Sequence, residues 1–234
     1  MKNGGSREDL QRAIADLAAR LMAEDGLDSA QARHKAAADL LGPSARAPGA
    51  LPDQEQLESA LRAYLQLHMG EAHRILLRDL RALALEWMQI LEAFQPHLVG
   101  AVLNGSATPH SHLHLHLFTD SAKDVEMALL DRGLDIRVGP ADDGPAHAQE
   151  RIGFLAAGGP RPAGGRERAH AAPGTPILLT VLDTDALRSS PSAHARRRDP
   201  GLHPVERSGR ANLQMLRQLL EASPGAAAPE ALHA

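Results

Sequence analysis

Hydrophobic residues recur at helical spacing over the first 95 residues of the chain. Leu10, Ile14, Leu17 and Leu21 follow one another at intervals of four, three and four residues, which places them on one face of a helix. Similar stripes, bounded by capping and helix-breaking residues, predict helices over residues 6–26, 28–41, 53–70 and 71–94. We therefore predict a helical region over residues 1–95, either a bundle or the arm of a larger domain.

The spacing changes after Pro96, where short apolar runs and strict alternation replace the helical stripes. These patterns predict strands over residues 98–103, 112–118, 134–138, 150–157 and 176–183, a helix from Ser121 to Gly133, and a last helix with Leu213, Leu216 and Leu220. We predict that residues 158–174 and 188–210 form exposed loops and that residues 223–234 form a disordered tail. The order of elements predicts an α+β protein, in which N-terminal helices pack on a small mixed sheet formed by residues 96–222.

Composition and charge narrow the classes of function. The net charge is −4, so no global charge attracts nucleic acid or an anionic membrane. The arginine-rich stretch 188–210 has no interleaved aromatic residues for base stacking, and we do not expect nucleic-acid binding. The chain has no cysteine, which excludes disulfides and thiolate metal sites. The N-terminus lacks a signal-peptide pattern and no apolar run is long enough for a membrane span, so we predict a cytoplasmic protein without a membrane partner.

One stretch, HSHLHLHLF (residues 110–118), carries a histidine at every second position. In a strand, the side chains at i and i+2 lie on the same face. His110, His112, His114 and His116 are therefore predicted to point one way, and the intervening leucines the other way, toward a helix. The histidines would then face solvent, a cleft or a second layer. A solvated strand face without any binding or catalytic role is one interpretation of this pattern.

The same stretch with its flanks, VLNGSATPHSHLHLHLFTDSAKDVEMALL, resembles the core of the DNA polymerase beta-like nucleotidyltransferase superfamily. Gly105-Ser106 matches the Gly-Ser turn of that pattern, Ser111 matches the serine before its acidic pair, and its apolar positions are matched by Leu113, Leu115, Leu117 and Phe118. The resemblance spans residues 98–138 and is closer still to short, uncharacterised bacterial proteins with a nucleotidyltransferase-like core. It implies a nucleotidyltransferase-like sheet, with Gly105, Ser106 and Ser111 as nucleotide-binding residues.

The chain departs from this pattern at the metal-binding pair. His112 and His114 stand where the superfamily has two aspartates, which hold two Mg²⁺ ions around the triphosphate and the attacking hydroxyl. Mg²⁺ prefers oxygen ligands, so imidazole is a poor substitute. The superfamily takes a third carboxylate from a later strand. The candidates for it in this chain are Asp183 and Asp185, with Glu150 as a weaker candidate. The resemblance thus implies the fold with a degenerate site, which binds a nucleotide, another ligand or a protein partner without turnover.

Two further interpretations use the histidines themselves. HLHLHLF (residues 112–118) matches the signature of the histidine-triad hydrolases, and this resemblance implies that His114 attacks the α-phosphate of a nucleotide. Alternatively, His112 and His114 are spaced as two ligands of a divalent metal, Zn²⁺ or Ni²⁺ rather than Mg²⁺, with Asp183 as a third ligand. The glycine-rich segments lack a G-x-x-x-x-G-K-[ST] loop, which argues against an ATP-dependent ligase or kinase.

Overall fold

The structure is a computed structural model, and it describes residues 3–42, 51–141, 148–157, 174–188, 199 and 201–222. Seven helices lie in these ranges: α1 (Asn3–Glu24), α2 (Ser29–Leu41), α3 (Gln54–His68), α4 (Glu71–Ile90), α5 (Gly100–Asn104), α6 (Ala122–Leu130) and α7 (Leu213–Ala222). Five strands accompany them: β1 (His97–Val99), β2 (Leu113–Phe118), β3 (Arg137–Pro140), β4 (Ala148–Ala156) and β5 (Thr175–Leu182). Two short 3-10 helices span Glu92–Phe94 and Thr184–Arg188. The prediction of an α+β protein is confirmed.

Side chains that accept hydrogen bonds from the backbone fix where three of these helices begin. Asp28 accepts from two N–H groups of α2, at 2.9 and 2.8 Å. Asp53 and Gln56 form a reciprocal capping box at the start of α3, and Ser121 accepts from the first turn of α6 at 3.2 Å. Each of these side chains satisfies donors that the first helical turn leaves unpaired. The predicted starts of α2, α3 and α6 are confirmed.

Helices α1, α2 and α3 share a hydrophobic core of their own. Ala18, Ala32 and Ala36 are fully buried in it together with Ile14 and Leu57. The distance between packed helices depends on the side chains at the contact, and alanine lets the helices approach closely. The chain therefore builds this core without aromatic residues.

Helix α4 belongs to a different core, the one that covers the sheet. Leu80, Leu83, Trp87 and Met88 are buried in the same cluster as the leucines of β2. The Trp87 ring meets the Phe154 ring of β4 edge-on, with 4.7 Å between the ring centroids. Such an aromatic pair adds about 1 kcal/mol to the effect of burying its surface. The core of the sheet therefore extends across residue 95, where the sequence predicted the helical region to end.

The five strands form one mixed sheet in the order β1-β2-β5-β4-β3. Strand β2 is antiparallel to β1 and parallel to β5, and the remaining neighbours are antiparallel. The three leucines of β2 are fully buried, in register with buried residues of β5: Ile177, Leu179 and Val181. This leucine side shares one hydrophobic cluster with residues of α4, α6 and α7. The prediction that the leucines of β2 pack toward helices is confirmed.

Two predicted strands differ from the structure. Residues 98–103 are predicted as one strand, but β1 ends at Val99 and the next residues form α5. Gly100 has a φ of +74°, a left-handed conformation that ends the extended chain. The strand predicted over residues 134–138 lies instead at Arg137–Pro140, because Leu134 and Ile136 pack against the core before pairing begins.

Part of the predicted exposed loop 188–210 lies against the core. Val205 is buried, Glu206 pairs with the buried Arg81, and the adjoining Ala211 bridges to Leu98 of β1. Residues 158–173 of the other predicted loop and the predicted tail 223–234 lie outside the described residues. Within the described part of the chain, no helix combines the length and the apolar character that a membrane crossing requires.

Candidate functional site on the histidine face

The sheet surface opposite the leucine core carries most of the side chains that the sequence analysis singled out. We call this surface the histidine face. Four strands contribute to it, and its residues are His97, His112, His114, His116, Phe118, Arg151, Leu178, Thr180 and Leu182. The alternation of β2 sets the arrangement, because residues between the core leucines must point to the other side of the sheet. The predicted division of β2 into a histidine side and a leucine side is confirmed by the burial of its residues.

The histidines of the predicted row differ in their surroundings. His112, which precedes β2, is exposed, whereas His114 and His116 are partly buried. The rings of His112 and His114 lie 6.2 Å apart between centroids and are tilted by 39°. His110 leaves the row, because its ring lies against Gly26 in the loop between α1 and α2; a Cβ at Gly26 would come within 2.9 Å of it. Three of the four predicted histidines therefore share the face.

Burial and positive neighbours keep the central histidines neutral. The pKa of His114 is lowered from 6.5 to about 4, first by burial and then by His112 and Arg151. The pKa of His116 is also lowered to about 4, by burial and then by His114, His97 and Arg210. Both imidazoles are therefore uncharged at pH 7 and can accept a hydrogen bond, ligate a soft metal or act as a nucleophile.

His97 is a member of the face that the sequence analysis did not single out. It lies directly opposite His116 across the β1–β2 pair. Its Nδ1 is 2.9 Å from the Gln95 carbonyl oxygen, and its ring meets Phe118 edge-on at 5.1 Å. Burial lowers the pKa of His97. Alternation with Leu98 places His97 away from the core, but only the register of β1 on β2 brings it to His116.

Arg210 closes one end of the face. Its guanidinium lies 5.5 Å from the centroid of the Phe118 ring and donates a hydrogen bond of 2.6 Å to the Leu187 carbonyl. Leu187 and Ala186 pack with Phe118 and Leu182 in a small hydrophobic cluster. A hydrophobic cluster therefore lines this end of the face.

The structure does not bring Asp183 to the two histidines that were predicted to share a metal with it. His114 is in register with Leu178, and Asp183 follows five residues later along β5, which is about 16 Å at strand spacing. The Asp183 carboxylate accepts instead from the Gln149 amide. Asp185 is exposed, and Glu150 lies in register with Val181, whose side chain is in the core. Among the described residues, no three histidine, aspartate or glutamate side chains are placed to hold one metal ion, and the donors near His114 do not fit Mg²⁺.

The predicted nucleotide-binding residues Gly105, Ser106 and Ser111 shape the loop that leads into β2. Gly105 has a φ of +79° and ends α5. The Ser106 N–H and hydroxyl both donate to the Asn104 side-chain oxygen, at 3.0 and 2.6 Å. The Ser111 hydroxyl accepts from the Thr108 N–H at 2.9 Å. Both serines therefore bond within local turns, and Ser106 is buried.

A buried ion pair that the sequence analysis missed lies beside Gly105. Arg81 of α4 donates to the carbonyls of Val102 and Leu103, at 3.0 and 3.1 Å, and pairs with Glu206 at 2.6 Å. A Cβ at Gly105 would lie 3.6 Å from the Glu206 carboxylate. Residues 81 and 206 are 125 positions apart in the chain, and no local pattern links them. The pair fastens α5, and with it the entry into β2, to the core.

The comparison of this chain with known proteins identifies no relative. No protein-family model, curated protein or solved structure matches it. The chemistry of the histidine face and the order of the elements that build it therefore carry the functional argument.

Proposed function

We propose that this chain is a nucleotidyltransferase-like binding protein, which binds a nucleotide or a related phosphate-bearing ligand on the histidine face without nucleotidyl transfer. The observation that carries the proposal is the chemistry of His114. This residue occupies the second position of the acidic pair in the resemblance, and its pKa of about 4 leaves a neutral imidazole at pH 7. A neutral imidazole neither supplies the charge of a carboxylate nor suits Mg²⁺.

The order of elements supports a nucleotidyltransferase-like core. Strand β1 is followed by α5, the Gly105-Ser106 turn, the histidine strand β2 and then α6. The resemblance has an apolar strand, a Gly-Ser turn, the strand of the acidic pair and a helix in this order, and this chain adds α5 between the strand and the turn. The resemblance also takes a third carboxylate from a later strand; β5 lies directly beside β2, but Asp183 at its end bonds to Gln149 and does not fill that role. The proposal includes a cytoplasmic location and a protein partner that responds to the bound ligand.

Restoring the acidic pair tests this proposal. We expect the double variant His112→Asp/His114→Asp to bind Mg²⁺ in calorimetric titration, whereas the unchanged chain shows no binding, because two carboxylates then supply the oxygen ligands that the ion prefers. The matched control is His34→Asp/His68→Asp, which adds the same two charges at exposed positions of α2 and α3. No gain of Mg²⁺ binding in a correctly folded double variant would contradict the proposal, as would pyrophosphate release by the unchanged chain from a nucleoside triphosphate.

The neutral His114 also favours a second candidate, a histidine-dependent nucleotide hydrolase or transferase. Only the neutral ring has the lone pair that attacks phosphorus, and His116 shares its face. The test is metal-independent cleavage of a nucleoside phosphoramidate. Cleavage by the unchanged chain that is lost in His114→Ala would favour this second candidate over the first proposal. Near-stoichiometric zinc or nickel in tag-free protein, lost in His112→Ala/His114→Ala, would instead favour a metal-binding protein.

A further inference from the structure

A row of polar side chains crosses four strands of the histidine face. The register places His97 of β1 opposite His116 of β2, His116 beside Thr180 of β5, and Thr180 opposite Arg151 of β4. Side chains in register on neighbouring strands have Cβ atoms about 5 Å apart. Thr180 therefore lies between an imidazole and a guanidinium, each one strand away.

Two members of this row have donors in a buried setting. Thr180 is 7% exposed, and Arg151 Nε is buried without a hydrogen-bond partner. A buried donor without an acceptor destabilises the folded protein, and a charged donor does so more strongly. A guanidinium beside a hydroxyl and an imidazole is a donor set that suits the oxygens of a phosphate or sulfate group.

The charges around the row point to an anion as well. The groups that lower the pKa of His114 and His116 are Arg151 of β4, Arg210, His97 of β1 and the histidines of β2 and its entry. No described carboxylate is among the groups that shift the pKa of either histidine. Asp183 bonds to Gln149, and Glu150 interacts with Lys123 of α6. The described part of the face thus gathers cationic and imidazole groups without an acidic partner.

We propose that Arg151, Thr180 and His116, with His97 at the edge, form a binding site for a phosphate-like oxyanion. Arg151 and Thr180 donate hydrogen bonds to the anion, and His116 gains a second N–H donor and a positive charge when it takes up a proton. The inference rests on the proposed function, because it assigns the phosphate of the proposed ligand to a defined place on the histidine face. The same chemistry would hold free phosphate or the phosphate of a nucleotide.

Anion binding at this row is coupled to proton uptake. A bound oxyanion favours the charged form of His116 and raises its pKa above the value in the ligand-free chain, about 4. The affinity therefore increases as the pH falls, by up to about tenfold per pH unit for one proton. Sulfate is the suitable probe for this dependence, because its own charge is constant from about pH 8 to about pH 5, where histidine responds.

The experiment follows histidine side-chain resonances by NMR and affinities by calorimetry, using the full chain and three probes: inorganic phosphate, sulfate and adenosine monophosphate. Phosphate is expected to shift the resonances of His116 and His97 but not those of His34 and His68, which lie on helices α2 and α3. We expect Arg151→Gln to weaken phosphate binding by about tenfold or more, and Thr180→Val to weaken it by less. The matched control is Arg132→Gln, which removes the same charge from an exposed position after α6.

Each outcome has a defined meaning. The proposal is overturned if phosphate leaves His116 and His97 unshifted, or if Arg151→Gln and Arg132→Gln bind phosphate equally well. Nucleotide binding that Arg151→Gln and Thr180→Val leave intact also overturns this site, although the proposed function survives. Phosphate binding at the row without any tighter binding of adenosine monophosphate supports the site, whereas it removes the nucleotide from the proposed function.

Discussion

Arg81 connects three parts of the chain through a single buried guanidinium. Helix α4 supplies the side chain, α5 supplies two carbonyl acceptors, and Glu206 supplies the counter-charge. Arg81 is 5% exposed, so a partner left alone would keep an unpaired charge in a low-dielectric setting. Removing one member of a buried pair therefore destabilises a protein far more than removing a surface pair.

We expect Arg81→Met to lower the free energy of unfolding by about 3–5 kcal/mol. The measurement is urea denaturation followed by the fluorescence of Trp87, which packs in the same core. Arg74→Met is the matched control on the same helix, because Arg74 and Glu71 form an ion pair whose side chains are both exposed to solvent. Such a pair contributes less than about 1 kcal/mol to the free energy of unfolding. Equal losses in the two variants would show that the buried pair has no special role.

The histidines show how far sequence reasoning reaches at the level of single residues. The alternation of β2 predicted the face of His112, His114 and His116, because side-chain direction in a strand follows from position alone. The sequence did not predict that His97 and Arg151 belong to this face. Their positions beside His116 and Thr180 depend on the pairing of β1 with β2 and of β4 with β5. Pairing register is a property of the folded sheet and has no local signature at these two positions.

At the scale of elements, capping residues and alternation predicted most boundaries, and Gly100 explains the main failure. The apolar run of residues 98–103 is long enough for a strand, but hydrophobicity alone does not distinguish a buried strand from a buried helical turn. Gly100 lies in the left-handed region and divides the run into β1 and α5. The division matters for the site, since α5 ends at the Gly105-Ser106 turn that leads to β2.

We expect Gly100→Ala to destabilise the protein by about 1–2 kcal/mol, because an L-residue is strained at a φ of +74°. A Cβ at residue 100 would lie 3.9 Å from the His114 Cβ, an ordinary contact, so the loss reports backbone conformation. Gly139→Ala in β3 is the control, since its Cβ would meet nothing within 4 Å and its φ is not left-handed. Thermal unfolding by circular dichroism measures both, and a stable Gly100→Ala would contradict the account of how β1 ends.

At the scale of the whole molecule, stability depends on pH through His114 and His116. Both have a pKa of about 4 in the folded chain, against 6.5 for an unperturbed histidine. The unfolded chain therefore binds more protons between these values, and stability falls as the pH falls from about 6.5 to about 4. Above this window the contribution is fully present. Each histidine can contribute a slope of about 1.4 kcal/mol per pH unit within it.

Unfolding by urea at a series of pH values measures this slope. We expect His114→Asn/His116→Asn to flatten it, because neither side chain then titrates. His34→Gln, at an exposed position of α2, is expected to leave the slope unchanged. A double variant as sensitive to acid as the unchanged chain would place the responsible groups elsewhere in the molecule.

The division of the molecule into two hydrophobic cores was only partly predictable. The four helical stripes look alike in the sequence, yet α1, α2 and α3 pack on one another while α4 packs on the sheet. Helix α4 buries Trp87, Leu80 and Met88, whereas the buried residues of α1 and α2 are mainly alanine; α3 buries leucines as α4 does, so residue size alone does not predict which core a helix joins. Arg62 of α3 pairs with Asp199 at 3.0 Å, so the helical part also contacts a residue that lies far from it in the sequence.

The parallel pairing of β2 with β5 has a consequence for the order in which the protein folds. Strand β2 ends at Phe118 and β5 begins at Thr175, so the centre of the sheet cannot close until the ribosome has released a long intervening segment. Contacts of this separation form slowly because a large loop must first be ordered. Until then, the edge of β2 that later pairs with β5 is unpaired and its leucine side chains are exposed to solvent. Exposed strand edges and apolar side chains promote aggregation. A nascent chain interrupted between these strands is therefore the form of this protein most in need of a chaperone.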